Sequence, residues 1–257
     1  MSLKLIISGA LGAMGKVIAD AAAADPDFDI IAGIDREDRM DGPFPVYEDP
    51  SNITEKADVI IDFSHFSAFP KVFGYALKTQ TPIVVATTGL SEDDQAQIEA
   101  GSEKIPVFKS ANMSLGINVL IRALQAAAPA LEDGFDIEIS ERHHRLKKDA
   151  PSGTALLLAD AVNDSLQNKK VYNCAREGRN VPRQDNEIGI TAMRGGTIAG
   201  EHTVLFAGED ELIEFKHTAL SKKIFSTGAL KAARWLSGRE PGLYDMQDLL
   251  DSQTGDE

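Results

Sequence analysis

The N-terminal stretch up to Asp35 constrains the fold of this chain more than any other part of its sequence. Leu3–Ser8 is a short, mostly apolar segment typical of a buried strand, and Gly9, Gly12 and Gly15 follow it in the order G-x-x-G-x-x-G. An alanine-rich helical segment comes next, and then a second apolar strand that ends at Asp35. A strand, a glycine turn, a helix and a strand, with an acid about 20 residues past the last glycine, form the layout of a dinucleotide-binding unit.

The glycine spacing by itself is a weak indicator, because the commoner dinucleotide pattern is G-x-G-x-x-G and a purely structural glycine turn is the alternative. Its position directly after the first strand favours binding, since glycines there let the backbone approach a pyrophosphate at the helix N-terminus. At the end of the second strand, Asp35 suits the ribose hydroxyls of NAD, whereas Arg36 suits the 2′-phosphate of NADP. We therefore expect NADH, NADPH or both as the cofactor.

Strands and helices continue to alternate up to residue 113. Apolar strands at 58–63, 82–87 and 105–109 are separated by helical segments, which predicts a parallel sheet covered by helices on both faces. Ligands of such sheets bind beyond the carboxyl ends of the strands. Thr87-Thr88 and Ser110–Met113 follow two of these strands, so they are candidates for the nicotinamide pocket, with ordinary turns as the alternative.

The pattern changes after Leu115. Strand-like segments separated by glycine turns lie at Glu187–Met193, Glu201–Ala207 and Glu211–Thr218, after a polar region at Gln167–Asn186 that is expected to be a loop. Helix Lys223–Leu236 follows, with an apolar stripe that is expected to pack on the first domain. A further helical turn or two is expected at Leu243–Leu250.

The two halves predict an α/β protein with two domains. We expect a dinucleotide-binding domain formed by residues 1–113 and 222–257. The second domain, residues 114–221, is expected to be of the α+β class and to be built on a mixed or antiparallel sheet.

The most charged stretch of the second domain is Glu141–Ala155, which contains two adjacent histidines and ends in Pro151-Ser152-Gly153-Thr154. It is expected to connect a strand at Asp136–Ser140 to a helix, and loops held by rigid elements often carry catalytic groups. Free amides at the start of that helix suit a carboxylate. A solvated charged loop followed by an ordinary Ser or Thr helix cap is the alternative.

A metal site formed by Glu141, His143 and His144 is a further alternative, since histidine and carboxylate clusters can bind zinc. Adjacent histidines on an extended chain point to opposite sides, and four neighbouring cations would repel a metal ion. We therefore expect no metal.

The chain of 257 residues has a net charge of −14, with 40 acidic residues against 26 Lys and Arg. Nucleic acids and anionic membranes bind basic surfaces, so neither is expected as a partner. No apolar run approaches the roughly 18 residues that cross a bilayer. The single cysteine, Cys174, excludes an internal disulfide and fits a cytoplasmic protein. The acidic end Asp251–Glu257 is expected to fray.

The run from Glu138 to Ala155 resembles the signature of the dihydrodipicolinate reductase family, also called 4-hydroxy-tetrahydrodipicolinate reductases, in the pattern E-x-H-H-x-x-K-x-D-A-P-S-G-T-A. The similarity extends to the glycine loop, Asp35-Arg36, Thr87-Thr88-Gly89, Ser110-Ala111-Asn112, Gly200-Glu201-His202-Thr203 and Trp235-Leu236-Ser237-Gly238. It implies an N-terminal Rossmann domain and a C-terminal domain for substrate binding and tetramerisation. It also implies NAD(P)H-dependent reduction of a cyclic dicarboxylate, dihydrodipicolinate, in diaminopimelate and lysine biosynthesis.

The resemblance also implies roles for individual residues. His143 is expected to be a proton donor and acceptor, and Lys147 a second proton donor. His144, Gly153 and Thr154 are expected to contact the substrate. The cofactor is expected to contact Gly9, Ala10, Leu11, Gly12, Ala13, Met14, Asp35, Arg36, Ala86, Thr87, Thr88, Ser110, Ala111, Asn112 and Met113.

The chain departs from the family pattern at Leu11, Ala86, Ser110 and Met113, all of them near the expected cofactor and none in the catalytic stretch. These departures bear on the preference between NADH and NADPH. Two other functions stay open from the sequence: a different two-domain dehydrogenase, and a protein that binds NAD(P) as a sensor without catalysis.

Overall fold

The structure, a computed structural model, describes residues 2–254. The chain divides into two compact units, the first formed by Met1–Leu115 with Lys222–Glu257 and the second by Gly116–Ser221. No helix within residues 2–254 combines the length and the apolar character that crossing a membrane requires.

The strands of the described residues are β1 (Leu3–Ser8), β2 (Phe28–Ile34), β3 (Val46–Tyr47), β4 (Val59–Asp62), β5 (Ile83–Val85), β6 (Pro106–Lys109), β7 (Asp136–His143), β8 (Val171–Asn173), β9 (Glu187–Arg194), β10 (Gly200–Ala207), β11 (Leu212–Ala219) and β12 (Gly242–Tyr244). The α-helices are α1 (Ala13–Ala23), α2 (Phe69–Thr79), α3 (Glu92–Ser102), α4 (Leu115–Ala127), α5 (Gly153–Ser165), α6 (Lys223–Leu236) and α7 (Met246–Thr254).

The first unit is built on a seven-stranded sheet in the order β12-β6-β5-β4-β1-β2-β3, and its neighbouring strands pair in parallel. Successive residues of a strand point to opposite faces, so Ile6 packs in one apolar cluster and its neighbours Leu5 and Ile7 pack in another. The cluster around Leu5 includes residues of α1, α6 and α7, and the cluster around Ile6 includes residues of α2 and α3. Helices therefore cover both faces, which confirms the predicted Rossmann fold of this part of the chain.

Helix α6 follows the second unit in the chain and belongs to the first unit. Its residues Ala229, Ala232, Ala233 and Leu236 are fully buried in the same cluster as Leu5, as their spacing predicted. The segment after α6 differs from the prediction, because β12 joins the sheet edge beside β6 before α7 begins. The acidic end was expected to fray from Asp251, but α7 continues to Thr254, and residues 255–257 lie outside the described part of the chain.

The second unit is built on a five-stranded mixed sheet in the order β11-β10-β7-β9-β8. Strands β7, β8 and β9 run parallel, while β10 pairs antiparallel with both β7 and β11. Helices α4 and α5 pack against one face of this sheet through a buried apolar cluster. The region expected to be a loop at Gln167–Asn186 contains β8, and this strand is added to the sheet edge by pairing with β9.

Strand β7 is longer than the sequence indicated. The prediction ended it at Ser140, because the following residues Glu141, Arg142 and His143 are charged or polar. The prediction was wrong, since pairing with β9 continues to His143 opposite Arg194. His143 is therefore the last residue of a strand in the middle of a sheet.

Candidate active site

The buried face of β7 changes from apolar to polar along its length. Ile137 and Ile139 are buried against α4 and α5, and the next two residues on the same face are Glu141 and His143. Both of these polar side chains are buried, whereas Arg142 between them is exposed. The sheet therefore places a carboxylate and an imidazole side by side at the end of its apolar core.

Glu141 has no solvent exposure and accepts four hydrogen bonds. Its Oε2 lies 2.6 Å from His143 Nδ1, and its Oε1 accepts the Ser152 backbone N–H at 2.9 Å. The guanidinium of Arg194 donates to both oxygens, each at 2.7 Å. Burial raises the pKa of Glu141, but the donors from Arg194, His143 and Ser152 outweigh it and hold that pKa below its usual value. The carboxylate is therefore ionised at neutral pH.

A second buried histidine, His202 of β10, packs edge-on against His143 with 5.1 Å between the ring centres. Its Nε2 lies 3.0 Å from Ser152 Oγ, and that oxygen also accepts the Ala155 backbone N–H at 3.2 Å as the cap of α5. Burial, with a smaller contribution from the neighbouring His143, lowers the pKa of His202 from 6.5 to about 4. His202 is therefore neutral at pH 7 and adds no charge beside His143.

The free edge of the His143 ring lies against Gly200, the first residue of β10. A Cβ atom on Gly200 would lie 3.1 Å from His143 Nε2 and 3.4 Å from its Cδ2. The missing side chain leaves the second ring nitrogen uncovered from this direction, while Nδ1 is engaged by Glu141. The side chain of His143 is 11% exposed, so a buried imidazole retains a narrow opening to solvent.

The turn after β7 brings Lys147 close to the start of α5. Lys147 Nζ lies 2.8 Å from Asp149 Oδ2, and the Lys147 backbone N–H donates to the His144 carbonyl at 3.1 Å. The bond from Lys147, with a smaller contribution from the Gly153 backbone N–H, holds the pKa of Asp149 below its usual value despite partial burial. No atom lies within 4 Å of the position of a Cβ on Gly153, so the space beside the helix start is open.

The structure thus brings together the residues that the sequence singled out in the second unit. His143 and the start of α5, with Gly153 and Thr154, are linked through one carboxylate, and Lys147 contacts the acid that precedes the helix. His144, half-buried, follows His143 directly in the turn. A cation, an imidazole and a helix N-terminus in one place can bind an anion and transfer a proton.

In the first unit, the expected cofactor residues lie at the carboxyl edge of the parallel sheet. The segments after β2, β1, β4, β5 and β6 follow one another along this edge in the spatial order of the strands. The expected residues are therefore distributed across neighbouring strand ends: Asp35 and Arg36 after β2, Gly9–Met14 after β1, Ala86–Thr88 after β5, and Ser110–Met113 after β6.

The glycine turn after β1 fits a diphosphate group. Gly9 has a φ of +77°, and a Cβ on it would lie 2.7 Å from the Phe63 carbonyl oxygen. A Cβ on Gly15 would lie 2.1 Å from the Gly9 carbonyl oxygen, so only glycine lets the helix approach the turn this closely. Gly12 caps α1 without a side-chain hydrogen bond, and the first turn of this helix contains no acid. The helix N-terminus is therefore suited to an external anion.

Asp35 and Arg36 differ in how firmly they are held. The Asp35 carboxylate accepts the Leu11 backbone N–H at 2.8 Å and the Arg36 backbone N–H at 2.8 Å, and its side chain is 12% exposed. The Arg36 side chain is 99% exposed, with its Nε 3.9 Å from Asp35. A fixed carboxylate suits ribose hydroxyls, and an exposed guanidinium is able to reorient toward a phosphate.

Four of the expected cofactor residues, Ala10, Thr87, Asn112 and Met113, are buried. Ala10 and Met113 belong to the apolar core, and Thr87 donates its hydroxyl to the buried Asp62 carboxylate at 2.9 Å. The buried side chains of Ala10, Met113 and Thr87 therefore hold the strand ends in place from the protein interior. Asn112 is also buried, and its Oδ1 accepts the Ser114 backbone N–H at 2.9 Å, which shapes the turn after β6.

Two family models together match nearly the whole chain. The model described as "Dihydrodipicolinate reductase, N-terminus" matches residues 3–113, and "Dihydrodipicolinate reductase, C-terminus" matches residues 116–250. The chain belongs to the dihydrodipicolinate reductase family. This confirms the resemblance seen in the signature at 138–155.

Curated relatives of the family support the assignment over the full length. A 4-hydroxy-tetrahydrodipicolinate reductase of Caldanaerobacter subterraneus subsp. tengcongensis is 52% identical over 97% of this chain and 99% of its own length. The reductase of the same name from Clostridium novyi is 44% identical, again over 97% and 99%. A solved structure, a dipicolinate-bound dihydrodipicolinate reductase from Paenisporosarcina sp. TG-14, has the same fold with a TM-score of 0.80 at 22% identity, over 95% of this chain and 98% of that one.

As a member of the dihydrodipicolinate reductase family the chain is an oxidoreductase, as predicted. Its second unit contains four polar residues that the sequence did not assign to the site: Glu141, Ser152, Arg194 and His202. Glu141 was considered only as a metal ligand, although it lies two residues before His143 and so shares its face on a strand. Arg194 has no local signal, since it is 53 residues from its carboxylate partner.

Within residues 2–254, no group of three or more His, Cys, Asp or Glu side chains is arranged to hold a metal ion. Of the three residues considered as metal ligands from the sequence, Glu141 and His143 are in contact with each other. Both Glu141 oxygens already accept hydrogen bonds from Arg194, and a guanidinium at that position repels a cation.

Proposed function

We propose that this member of the dihydrodipicolinate reductase family reduces 4-hydroxy-tetrahydrodipicolinate (dihydrodipicolinate) to tetrahydrodipicolinate with NADH or NADPH, in cytoplasmic diaminopimelate and lysine biosynthesis. One observation carries the proposal. The buried Glu141 is hydrogen-bonded to both His143 and the start of α5, and Lys147 lies in the turn between them. The cyclic dicarboxylate substrate presents carboxylates to this site and needs a proton there.

The proton is assigned to His143. A reduced nicotinamide bound at the first unit supplies the hydride. The reduced ring then carries negative charge and must gain a proton, which an imidazolium can deliver near neutral pH. Since Glu141 engages Nδ1, the atom of His143 that delivers the proton is Nε2.

Lys147 and the start of α5 bind the anion. The backbone N–H groups of Gly153 and Thr154 point along the helix axis from its positive end, which suits one substrate carboxylate. Lys147 places a positive charge at the same end and stabilises negative charge that develops on the ring. His144 lies in the turn between the proton donor and this cation and is assigned a substrate contact.

Either cofactor is expected to be used. Asp35 is held for the ribose hydroxyls, while the exposed Arg36 offers a guanidinium to a 2′-phosphate. Of the remaining expected contacts, Gly9–Met14 would hold the diphosphate, and the backbone after β5 and β6 would contact the nicotinamide.

The proposed assembly is a homotetramer. Support comes from the family resemblance and from the face of the second sheet opposite α4 and α5. On that face the large apolar side chains of Met193 and Leu212 are 46% and 68% exposed. Light scattering of the purified protein tests the assembly directly.

One assay tests the reaction. The substrate is generated from pyruvate and aspartate semialdehyde by the enzyme that condenses them, and oxidation of NADH and NADPH is followed at about 340 nm, where the reduced nicotinamide absorbs. Turnover with at least one cofactor is expected. The absence of oxidation with both would contradict the proposal and leave cofactor binding without catalysis, the sensor function considered above.

Variants test the residue roles. His143→Ala and Lys147→Ala are each expected to lower kcat by about 10²–10⁴-fold, the usual contribution of a positioned proton donor or charge. Affinity for NADH should be unchanged, because these residues lie in the second unit. Lys148→Ala is the matched control for the cation, since its side chain is exposed beside Lys147. Unchanged turnover in either variant would remove that residue from the mechanism.

A further inference from the structure

We propose that Glu141 is the positioning residue of this site, and that one buried carboxylate fixes both the proton-delivering imidazole and the helix end that binds the substrate carboxylate. The inference rests on the proposed function. Glu141 itself has no solvent exposure, so the proposed role does not involve contact with the substrate. It acts through His143, Ser152 and Arg194, which are its hydrogen-bond partners.

The first contact sets the orientation of His143. Glu141 Oε2 is 2.6 Å from Nδ1, and an ionised carboxylate only accepts, so Nδ1 carries the proton of that bond. This leaves Nε2 to exchange a proton with the substrate. The absence of a side chain at Gly200 keeps Nε2 accessible, since a Cβ there would lie 3.1 Å from it. The carboxylate thus decides which ring nitrogen is used.

The second contact sets the start of α5. Glu141 Oε1 accepts the backbone N–H of Ser152 at 2.9 Å, and Ser152 is the N-cap residue of this helix. Gly153 and Thr154 follow directly, so their amides are positioned relative to the same carboxylate that holds the imidazole. The distance between the proton donor and the carboxylate anchor is therefore fixed by one side chain.

The third contact keeps the carboxylate charged. A buried ionised carboxylate is stable only when it is paired and hydrogen-bonded, and Arg194 provides two parallel bonds of 2.7 Å from β9. Arg194 also donates to the Asp149 carbonyl at 2.5 Å, in the turn that carries Lys147. Three segments of the site, the end of β7, the end of β9 and the start of α5, meet at Glu141.

A purely structural ion pair between Glu141 and Arg194 is the competing explanation. It predicts loss of stability in Glu141 variants without a specific change in proton transfer. The positioning role predicts a loss of kcat in folded Glu141 variants and a change in which ring nitrogen of His143 carries the proton, because the carboxylate is the acceptor for Nδ1.

The test compares Glu141→Gln with Glu138→Gln. Glu138 lies on the same strand and is also paired with arginine, Arg176 at 2.8 Å, but makes no contact with His143. We expect Glu141→Gln to lower kcat by about 100-fold or more, since the carboxylate that orients the imidazole is lost. KM for the substrate should rise, and Glu138→Gln should stay within about twofold of wild type in both kcat and KM.

Glu141→Gln leaves the Arg194 charge without its partner, so the variant could unfold. The double variant Glu141→Gln/Arg194→Gln removes both charges and is expected to fold while keeping the loss of kcat. A folded Glu141→Gln or double variant with wild-type kcat would overturn the proposal and leave a structural ion pair.

Nitrogen-15 NMR of labelled histidine separates failure of this inference from failure of the proposed function. In the wild type we expect the Nδ1 of His143 to be protonated, with the signal assigned by its absence in His143→Ala. In Glu141→Gln that signal should change toward the Nε2-protonated form. Wild-type protein without turnover refutes the proposed reaction but leaves this signal to be tested. An unchanged His143 signal in Glu141→Gln refutes the positioning role even if the enzyme is active.

Discussion

A single methyl group beside His143 is expected to slow this enzyme without destabilising it. Gly200 begins β10 and lies against the imidazole edge, where an added Cβ would be 3.1 Å from Nε2. Ordinary contacts of this kind are 3.4–4 Å, so the ring must retreat by a few tenths of an ångström. Its other nitrogen is already 2.6 Å from Glu141, and a retreat strains that bond. Gly200→Ala therefore moves the atom that we assign to proton delivery.

The size of the effect follows from this displacement. A misplacement of about 1 Å at a reacting group costs about 10²-fold in rate, so a few tenths of an ångström should lower kcat by about 3- to 10-fold. That range corresponds to roughly 0.7–1.4 kcal/mol of transition-state stabilisation. Gly200 has no left-handed backbone conformation, and alanine in a strand is favoured over glycine by roughly 0.5–1 kcal/mol. Stability should therefore be unchanged or slightly higher.

Initial rates and thermal unfolding of Gly200→Ala test this directly. Gly195→Ala is the matched control, because Gly195 lies in the adjacent turn and no atom is within 4 Å of its Cβ position. The control should retain wild-type kcat. A Gly200→Ala enzyme with kcat within about twofold of wild type would refute the assignment of Nε2 as the proton-delivering atom. A large fall in its unfolding temperature would show instead that the added methyl disrupts the sheet.

Two further predictions concern charge in the second unit. In the proposed complex Asp149 would compete with the substrate for Lys147 and for the start of α5. The Asp149 side chain is 55% exposed, so its pair with Lys147 contributes only about 0.2–1 kcal/mol. Asp149→Asn should lower KM for the substrate by roughly 1.4- to 5-fold in initial-rate measurements, whereas a higher KM would show that Asp149 aligns Lys147 for binding. His202 has its pKa lowered by burial from 6.5 to about 4, so the unfolded chain binds more protons in that window and stability falls as pH drops through it. Urea unfolding at about pH 7 and about pH 4.5 measures how far the free energy of unfolding falls between the two. That fall should be about 2–3 kcal/mol smaller for His202→Gln than for wild type, and equal falls would argue against a buried neutral histidine.

The elements with clear periodicity were predicted closely from the sequence. Lys223–Leu236 is helical over the predicted residues, and β1 has its predicted bounds. Both have enough apolar residues at a regular spacing to specify one buried face on their own. The short strands β3, β8 and β12 were missed because each has two or three residues and becomes a strand only by pairing with β2, β9 or β6.

The boundary of β7 shows that a run of charged and polar residues does not always mark a loop. Glu141 and His143 are buried on either side of the exposed Arg142, which is the alternation of a strand. Their polar character nevertheless suggested a loop between β7 and the next helix and not a buried face of the sheet. Burial of such groups depends on partners from other strands. Without Arg194, the buried Glu141 carboxylate would lose the two hydrogen bonds from a guanidinium that balance its charge.

The sequence alone determined the local features of this reductase: the glycine turn after β1, the acid and arginine after β2, and the signature that contains His143 and Lys147. These depend on residues close together in the chain, where backbone geometry and periodicity decide the outcome. Only the tertiary structure joined Glu141 to Arg194, 53 residues away, and Ser152 to His202, 50 residues away. Such contacts depend on the register between β7, β9 and β10, because a shift of one residue turns each side chain to the opposite face of the sheet.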